Sequence, residues 1–142
     1  MSKRNTTHLA GEFLVAGELS RRGYPVSITI GNAKSVDIYA ESSKEMLKID
    51  AKAGRTKGNW PINKNNVKKD IYYIFVHLQT ETKIKNNVPP EYFIVKGKEI
   101  LSKNLISTWG KRQGIRYSTL NTKEYRERWD KLPLKIVQRE VM

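Results

Sequence analysis

Three carboxylates and one lysine have the types and spacing needed to hold a divalent cation against a phosphodiester. Asp37 lies in the strand-like run Val-Asp-Ile-Tyr, and Asp50 and Lys52 share the run Lys-Ile-Asp-Ala-Lys. Glu12 lies about 25 positions before Asp37, inside an otherwise apolar helical stripe. Mg²⁺ prefers carboxylate oxygens, and a lysine acts as a point charge on phosphate. Together these residue types indicate a nuclease.

Strand alternation predicts that two of the carboxylates lie on one side of a sheet. Successive side chains of a strand point to opposite faces. If Val36 and Ile38 share a core with Ile49, a hairpin of the two runs turns Asp37 and Asp50 toward the same side. Two converging carboxylates repel each other unless a cation lies between them. The alternative is that Asp37 caps a turn and Asp50 is an ordinary solvent-facing residue.

Glu12 lies where the first helix is expected to face the sheet. A carboxylate at that position is costly without a partner, and a metal ion or a lysine would compensate. The alternative is a half-exposed carboxylate paired with lysine. His8 lies one helical turn before Glu12, whereas His77 falls in a buried run and is interpreted as a core histidine with its hydrogen bonds satisfied. The apolar stripe is predicted from helical spacing and comprises Leu9, Phe13, Ala16 and Leu19.

The hydrophobic pattern predicts a mixed α/β fold, a central mixed β-sheet flanked by helices as in a restriction-endonuclease-like core. We expect one domain over residues 1–142. Expected helices cover residues 7–22 and 98–109, with a short one after the capping-box pair Asn121 and Glu124. Expected strands cover residues 24–30, 36–40, 46–53, 71–78 and 92–95, the last being the final strand. Residues 31–34 read as a turn, 54–69 as a loop with or without a short helix, and 79–90 as a polar loop.

Charge and composition point to a polyanionic partner. The net charge of +13 over 142 residues attracts nucleic acid first and acidic membrane surfaces second. The chain has no cysteine, which excludes disulfides and thiolate chemistry and is compatible with a reducing cytoplasm. It shows no apolar run long enough for a membrane span and no secretory signal. We therefore expect a cytoplasmic protein that binds nucleic acid.

The segment after Asp50 supplies the expected nucleic-acid contacts. Residues 51–69 hold six basic side chains and no acidic one, and Trp60 lies in the same segment. Such a mixture suits contact with a nucleic-acid backbone. Trp60 either stacks on an unpaired base or fills the core beneath the loop, and the second interpretation is favoured. The candidate nucleic-acid-binding residues are Lys34, Arg55, Lys57, Trp60, Lys64, Lys68 and Lys69.

The order Glu12, Asp37, Asp50-Ala51-Lys52 resembles the PD-(D/E)XK nuclease superfamily. Val36 stands in place of the proline of the family name, and Asp50 is the acid of the D/E-x-K element. The spacing, with 24 residues between Glu12 and Asp37 and 12 between Asp37 and Asp50, is similar to that of small Holliday-junction resolvases and related bacterial endonucleases. The resemblance covers roughly residues 7–95.

The resemblance implies a metal-dependent endodeoxyribonuclease that uses Mg²⁺ or Mn²⁺ on structured or duplex DNA. By analogy Asp37 and Asp50 bind the metal, Glu12 supports the metal or its water, and Lys52 positions the nucleophile. The alternative is a non-catalytic nucleic-acid-binding protein with the same fold. RNA stays open as a partner, because phosphate contacts do not distinguish it from DNA. Cutting two strands by paired subunits predicts a homodimer or a higher symmetric oligomer.

Overall fold

The structure, a computed structural model, describes residues 3–29 and 36–134, with side chains from residue 6 onward. The α-helices of the described ranges are α1 (Lys3–Arg21), α2 (Glu81–Lys85), α3 (Gly97–Ser102) and α4 (Tyr117–Leu120). The strands are β1 (Val26–Ile28), β2 (Ile38–Glu41), β3 (Met46–Gly54), β4 (Asn59–Pro61), β5 (Tyr72–His77), β6 (Glu91–Lys96), β7 (Ser107–Trp109) and β8 (Arg112–Arg116). None of these helices is both long and apolar enough to cross a membrane.

The main sheet has the strand order β1-β2-β3-β5-β6, and a smaller sheet has the order β4-β8-β7. In the main sheet β3 and β5 run parallel, while the other neighbours are antiparallel. The predicted mixed sheet with flanking helices is therefore confirmed. β5 is buried along its whole length, because it lies inside the sheet with a core on each face.

The two faces of the main sheet are covered differently. On one face α1 packs Val15 and Leu19 against Ile49 and its neighbours on the strands. On the other face the small sheet packs Trp60 and Ile115 against the aromatic side chains of β5 and β6. Both faces of the main sheet are therefore buried.

The helix α1 is rotated from the orientation that the apolar stripe predicted. Phe13 was expected to face the sheet and is 61% exposed, so that part of the prediction is wrong. The cause is a close approach at Gly11, where an added Cβ would lie 2.5 Å from the Cβ of Ala53. Glu12 still faces inward, as predicted, at 2% exposure, and Val15 is fully buried.

The segment after β6 departs most from the predicted elements. Residues 92–95 are not the final strand, because β7 and β8 follow. The helix expected over residues 98–109 ends with α3 at Ser102, two residues before Asn104, which has φ +51. β7 occupies the end of the predicted range. β4 lies inside the predicted loop of residues 54–69, and α2 lies inside that of residues 79–90.

The short helix predicted after Asn121 is present only in part: no α-helix follows Asn121 in the described residues, and a 3₁₀ helix (Trp129–Lys131) carries Trp129. That segment pairs with the edge of β6 instead: the amide of Ile94 donates to Tyr125 O, and the amide of Glu127 donates to Tyr92 O. The segment also bonds to itself, since the amides of Tyr125 and Arg126 donate to Thr122 O, and its pairing with β6 covers an edge strand. The turn expected at residues 31–34 lies outside the described residues.

Candidate active site

Asp37 lies where β2 begins to pair with β3. The described pairing of the two strands has Ile38 opposite Ile49, and the Asp37 amide donates to Ile49 O at 3.1 Å. The carboxylate of Asp37 turns along β3 and accepts a hydrogen bond from the Ala51 amide at 2.9 Å. At 7% exposure Asp37 is a buried acid at the start of an inner strand of the sheet. Val36 packs in the opposite core from Ile38, so the regular alternation expected over residues 36–38 is wrong.

Asp50 follows Ile49 on β3 and lies beside both Asp37 and Lys52. The Lys52 Nζ is 3.2 Å from Asp50 Oδ1, as expected for side chains two positions apart on one strand face. Burial raises the pKa of Asp50 to about 6; Lys52 opposes the rise, and the charge and hydrogen bonding of Asp37 add to it. The ammonium therefore compensates only part of the cost of burying the Asp50 carboxylate beside another acid.

Glu12 and His8 approach Asp37 from α1. The Nε2 of His8 is 3.0 Å from Glu12 Oε1, one helical turn along. A ligand atom from each of His8, Glu12 and Asp37 lies within 4.8 Å of the others. His8, which is exposed, was noted in the sequence only for its distance of one turn from Glu12.

Asp37 joins these contacts, because it lies with Glu12 and His8 on one side and beside Asp50, which pairs with Lys52, on the other. Buried carboxylate oxygens are the donor set that a hard divalent ion takes. The raised pKa of Asp50 results first from burial and then from the neighbouring Asp37. Among the described residues, the group close enough to share one ion is His8, Glu12 and Asp37, which fits Mg²⁺ or Mn²⁺; Asp50, the third predicted acid, lies next to Asp37 rather than within that group.

An open depression of about 380 Å³ adjoins Asp50 and Lys52. Part of its wall comes from the segment around a 3₁₀ turn (Lys64–Asn66) and from the β7–β8 hairpin. Sequence reasoning did not place these residues at the site. The sequence signal for this hairpin is the glycine at position 110, and in the structure Gly110 adopts φ +63. The wall residues that were missed are Asn63, Asn66, Tyr73, Lys111 and Gln113.

The candidate nucleic-acid-binding residues have different surroundings. Trp60 is buried, and its Nε1 donates to Val76 O at 3.1 Å, so it cannot stack on a base. Arg55 is partly buried, and its Nε donates to Thr7 Oγ1 at 3.1 Å. Lys34 lies outside the described residues. The exposed members are Lys57, Lys64, Lys68 and Lys69.

A second group of polar side chains, here called the Glu91 cluster, lies at the other end of β5 and β6. It comprises Glu91, His77, Gln79, Tyr117 and Arg126. The His77 Nδ1 is 2.6 Å from Glu91 Oε1, and the Tyr117 hydroxyl is 3.0 Å from both Glu91 oxygens. Arg126 also donates to Glu91, and Gln79 donates to Pro89 O. His77 is thus a core histidine with a bonded ring nitrogen, as predicted.

The class that the architecture defines is a mixed α/β, endonuclease-like fold. One solved structure with this fold is that of the bacterial homing endonuclease I-Ssp6803I, with a TM-score of 0.56. The match covers 92% of this chain and 91% of that chain, at 14% sequence identity. At that identity the similarity establishes the fold alone. No protein-family profile and no curated protein matches the sequence, so membership of the PD-(D/E)XK superfamily stays a prediction.

Proposed function

We propose that this protein is a divalent-metal-dependent endodeoxyribonuclease. The observation that supports the proposal is that Asp37 lies close to Glu12 and His8 and also beside Asp50, whose carboxylate pairs with Lys52. Two of these acids are almost fully buried, and the pKa of the third is raised to about 6, chiefly by burial. Such an arrangement is expensive for a folded protein and is characteristic of functional sites.

The chemistry proposed for the site is hydrolysis of a phosphodiester. A divalent cation held by the carboxylates supplies Lewis-acid polarisation of phosphate and acidifies water. Asp37 is fixed by the Ala51 amide, and its fixed position limits where the cation can lie. Lys52 sits next to the candidate ligand Asp50, where its ammonium stabilises charge that develops on the phosphate.

DNA as the substrate is supported by two independent features. The net charge of +13 gives a field that attracts polyanions, and the fold is similar to that of a bacterial homing endonuclease. Contacts made by exposed lysines go to phosphate and carry no sequence information. We therefore expect backbone-dominated binding that weakens steeply with salt.

The direct test is cleavage of supercoiled and branched DNA with Mg²⁺ or Mn²⁺, compared with a chelator. We expect nicked or linear product only with the metal, and none from Asp50→Ala, which keeps its DNA binding. Asp70→Ala is the matched control, because Asp70 is an exposed acid paired with Lys48. Cleavage that persists in chelator, or in Asp50→Ala, contradicts the proposal.

The second candidate function is nucleic-acid binding without catalysis in the same fold. The positive charge supports both functions, but buried carboxylates weaken rather than strengthen contact with phosphate. The site therefore favours the enzyme. Binding of DNA without metal-dependent cleavage on any of these substrates would establish the alternative.

We also expect a homodimer or higher symmetric oligomer in the active enzyme, because one site cuts one strand at a time. Light scattering at the concentration of the cleavage assay measures the assembly. A strict monomer that makes double-strand breaks contradicts this expectation.

A further inference from the structure

The outer face of the small sheet carries a pocket that has no part in the proposed chemistry. It is an open depression of about 570 Å³, here called the Trp109 pocket, and no acidic side chain lines it. Its side-chain walls are Lys57, Asn59, Trp109, Arg116, Tyr117 and Ser118. A polar, cationic and aromatic lining of this kind differs from the carboxylate-rich site.

Two cations in the pocket lie over aromatic rings. The guanidinium carbon of Arg116 is 5.6 Å from the centroid of Trp109, and the Nζ of Lys57 is 5.5 Å from that of Tyr117. Trp109 is only partly buried, so its ring presents surface to the pocket. Aromatic rings and guanidinium planes both stack on nucleobases, and the two cations suit the attached phosphate.

The strand β4 connects this pocket to the candidate active site. Asn59 lines the Trp109 pocket, and Pro61 lines the depression next to Asp50 and Lys52. These two residues share a face of β4, since they are two positions apart, and they are separated by about 7 Å along the strand. A nucleic-acid strand that passes the active site can therefore continue into the Trp109 pocket.

We propose that the Trp109 pocket binds an unpaired nucleotide of the DNA substrate. The base stacks on Trp109 and Arg116, and its phosphate pairs with Lys57. The preferred substrate is thus DNA with a single-stranded segment beside the cut, rather than a continuous duplex. A base within a duplex is already stacked on its neighbours, so it cannot occupy the pocket without being extruded. The inference rests on the proposed function for the choice of DNA as ligand.

The test is tryptophan fluorescence with DNA in the presence of a chelator. The chain has three tryptophans, and Trp60 and Trp129 are buried, so a stacking signal reports Trp109. We expect strong quenching by a duplex with a short single-stranded gap and little by the continuous duplex. Trp109→Phe keeps an aromatic ring and removes the signal. Equal quenching by both DNAs, or quenching that persists in Trp109→Phe, overturns the proposal.

Binding of the same gapped DNA, labelled and followed by anisotropy, gives a second measurement. Trp109→Ala and Arg116→Ala should each weaken it roughly tenfold, and Trp109→Phe should largely preserve it. Lys44→Ala is the control for general loss of charge, because Lys44 is exposed in the turn that precedes β3. Loss of affinity in Lys44→Ala equal to that in Arg116→Ala, or no loss in Trp109→Ala, contradicts a built pocket.

The two proposals fail in distinguishable ways. Asp50→Asn should lose cleavage and keep the quenching by gapped DNA, since the pocket does not include Asp50. A wild-type protein that shows quenching without cleavage on any substrate supports the pocket and contradicts the nuclease. Cleavage without the gap-dependent quenching supports the nuclease and contradicts the nucleotide-binding pocket.

Discussion

Asp50 and Glu91 are acidic side chains at two ends of the molecule, with 20% and 12% of their surfaces exposed. Their proton affinities shift in opposite directions. Burial raises the pKa of Asp50 to about 6, and the neighbouring Asp37 adds to the rise despite Lys52. Burial also works to raise the pKa of Glu91, but hydrogen bonds from its cluster outweigh it, and the pKa lies below its usual value.

The opposite pKa shifts indicate that Glu91 has a structural role and that Asp50 has a functional one. Glu91 receives bonds from an imidazole, a phenol and a guanidinium, so its charge is compensated within the fold. Asp50 is held next to another acid with one ammonium beside it. A buried group that the protein leaves under-compensated is completed by something else, which at this position we propose to be a cation.

The largest expected effect is the loss of cleavage when an active-site acid is neutralised. Asp50→Asn should lower the rate of DNA cleavage roughly 10²–10³-fold without unfolding the protein, because it removes a buried negative charge. Glu91→Gln should leave the cleavage rate of the folded enzyme within about threefold of the wild-type rate. Single-turnover rates on one labelled DNA measure both. Equal losses in the two variants would erase the functional distinction between the acids.

The second prediction concerns stability at the Glu91 cluster. Glu91→Ala leaves His77 and Arg126 without their shared acceptor and should lower the free energy of unfolding by about 3–5 kcal/mol. Glu81→Ala, at an exposed position on α2, should change it by less than about 0.5 kcal/mol. Urea denaturation followed by circular dichroism gives both values. A Glu91→Ala protein as stable as the wild type contradicts a structural role.

Opposite pKa shifts predict opposite pH dependences of stability in the metal-free protein. Between pH 4 and 6 folded Asp50 holds its proton and the unfolded chain releases it, so its contribution is present below pH 4 and lost as pH rises through 6. Asp50→Asn should therefore gain stability over the wild type across this interval, by at most about 3 kcal/mol.

Glu91 should behave in the reverse sense. Its pKa is lowered in the folded state, so its contribution is present above the usual range of a glutamate and is lost as the pH falls. The measurement is urea denaturation of the wild type, Asp50→Asn and Glu91→Gln at several pH values with chelator. If the free energy of unfolding changes with the same sign in both variants, the opposite pKa shifts of Asp50 and Glu91 are contradicted.

The sequence predicted the first half of the fold well, for identifiable reasons. The hairpin predicted from the short connection after Glu41 brings Asp37 near Asp50, although Val36 does not share the core of Ile38, and helical spacing placed Glu12 on the inward face. The rotation of α1 was not predictable, because it depends on the contact between Gly11 and Ala53, which are far apart in the chain.

The second half was predicted less well because long-range pairing decides it. β4 is three residues long and exists through its pairing with β8, which puts Trp60 opposite Ile115. The segment around Tyr125 bonds to the edge of β6 rather than forming a helix. Neither partner is visible in a local pattern, so the wall of the active site contributed by Lys111 and Gln113 was missed.

The smallest effect is expected from the contact that aims Glu12. Gly11→Ala places a methyl group against Ala53 and should cost about 1–3 kcal/mol of stability, while weakening metal binding. Gly17→Ala is the matched control, because nothing lies within 4 Å of the added Cβ, and it should gain about 0.5–1 kcal/mol. Thermal unfolding with and without Mn²⁺ measures both effects. If Gly11→Ala matches Gly17→Ala in stability and in Mn²⁺ binding, the close packing at Gly11 does not position Glu12.

Calorimetric titration of the protein with Mn²⁺, without DNA, tests the cation site most directly. We expect one saturable binding event per chain for the wild type and for Asp70→Asn, and much weaker binding for Asp37→Asn and Asp50→Asn. Binding that is absent from the wild type, or that survives unchanged in both active-site variants, contradicts the proposed cation site.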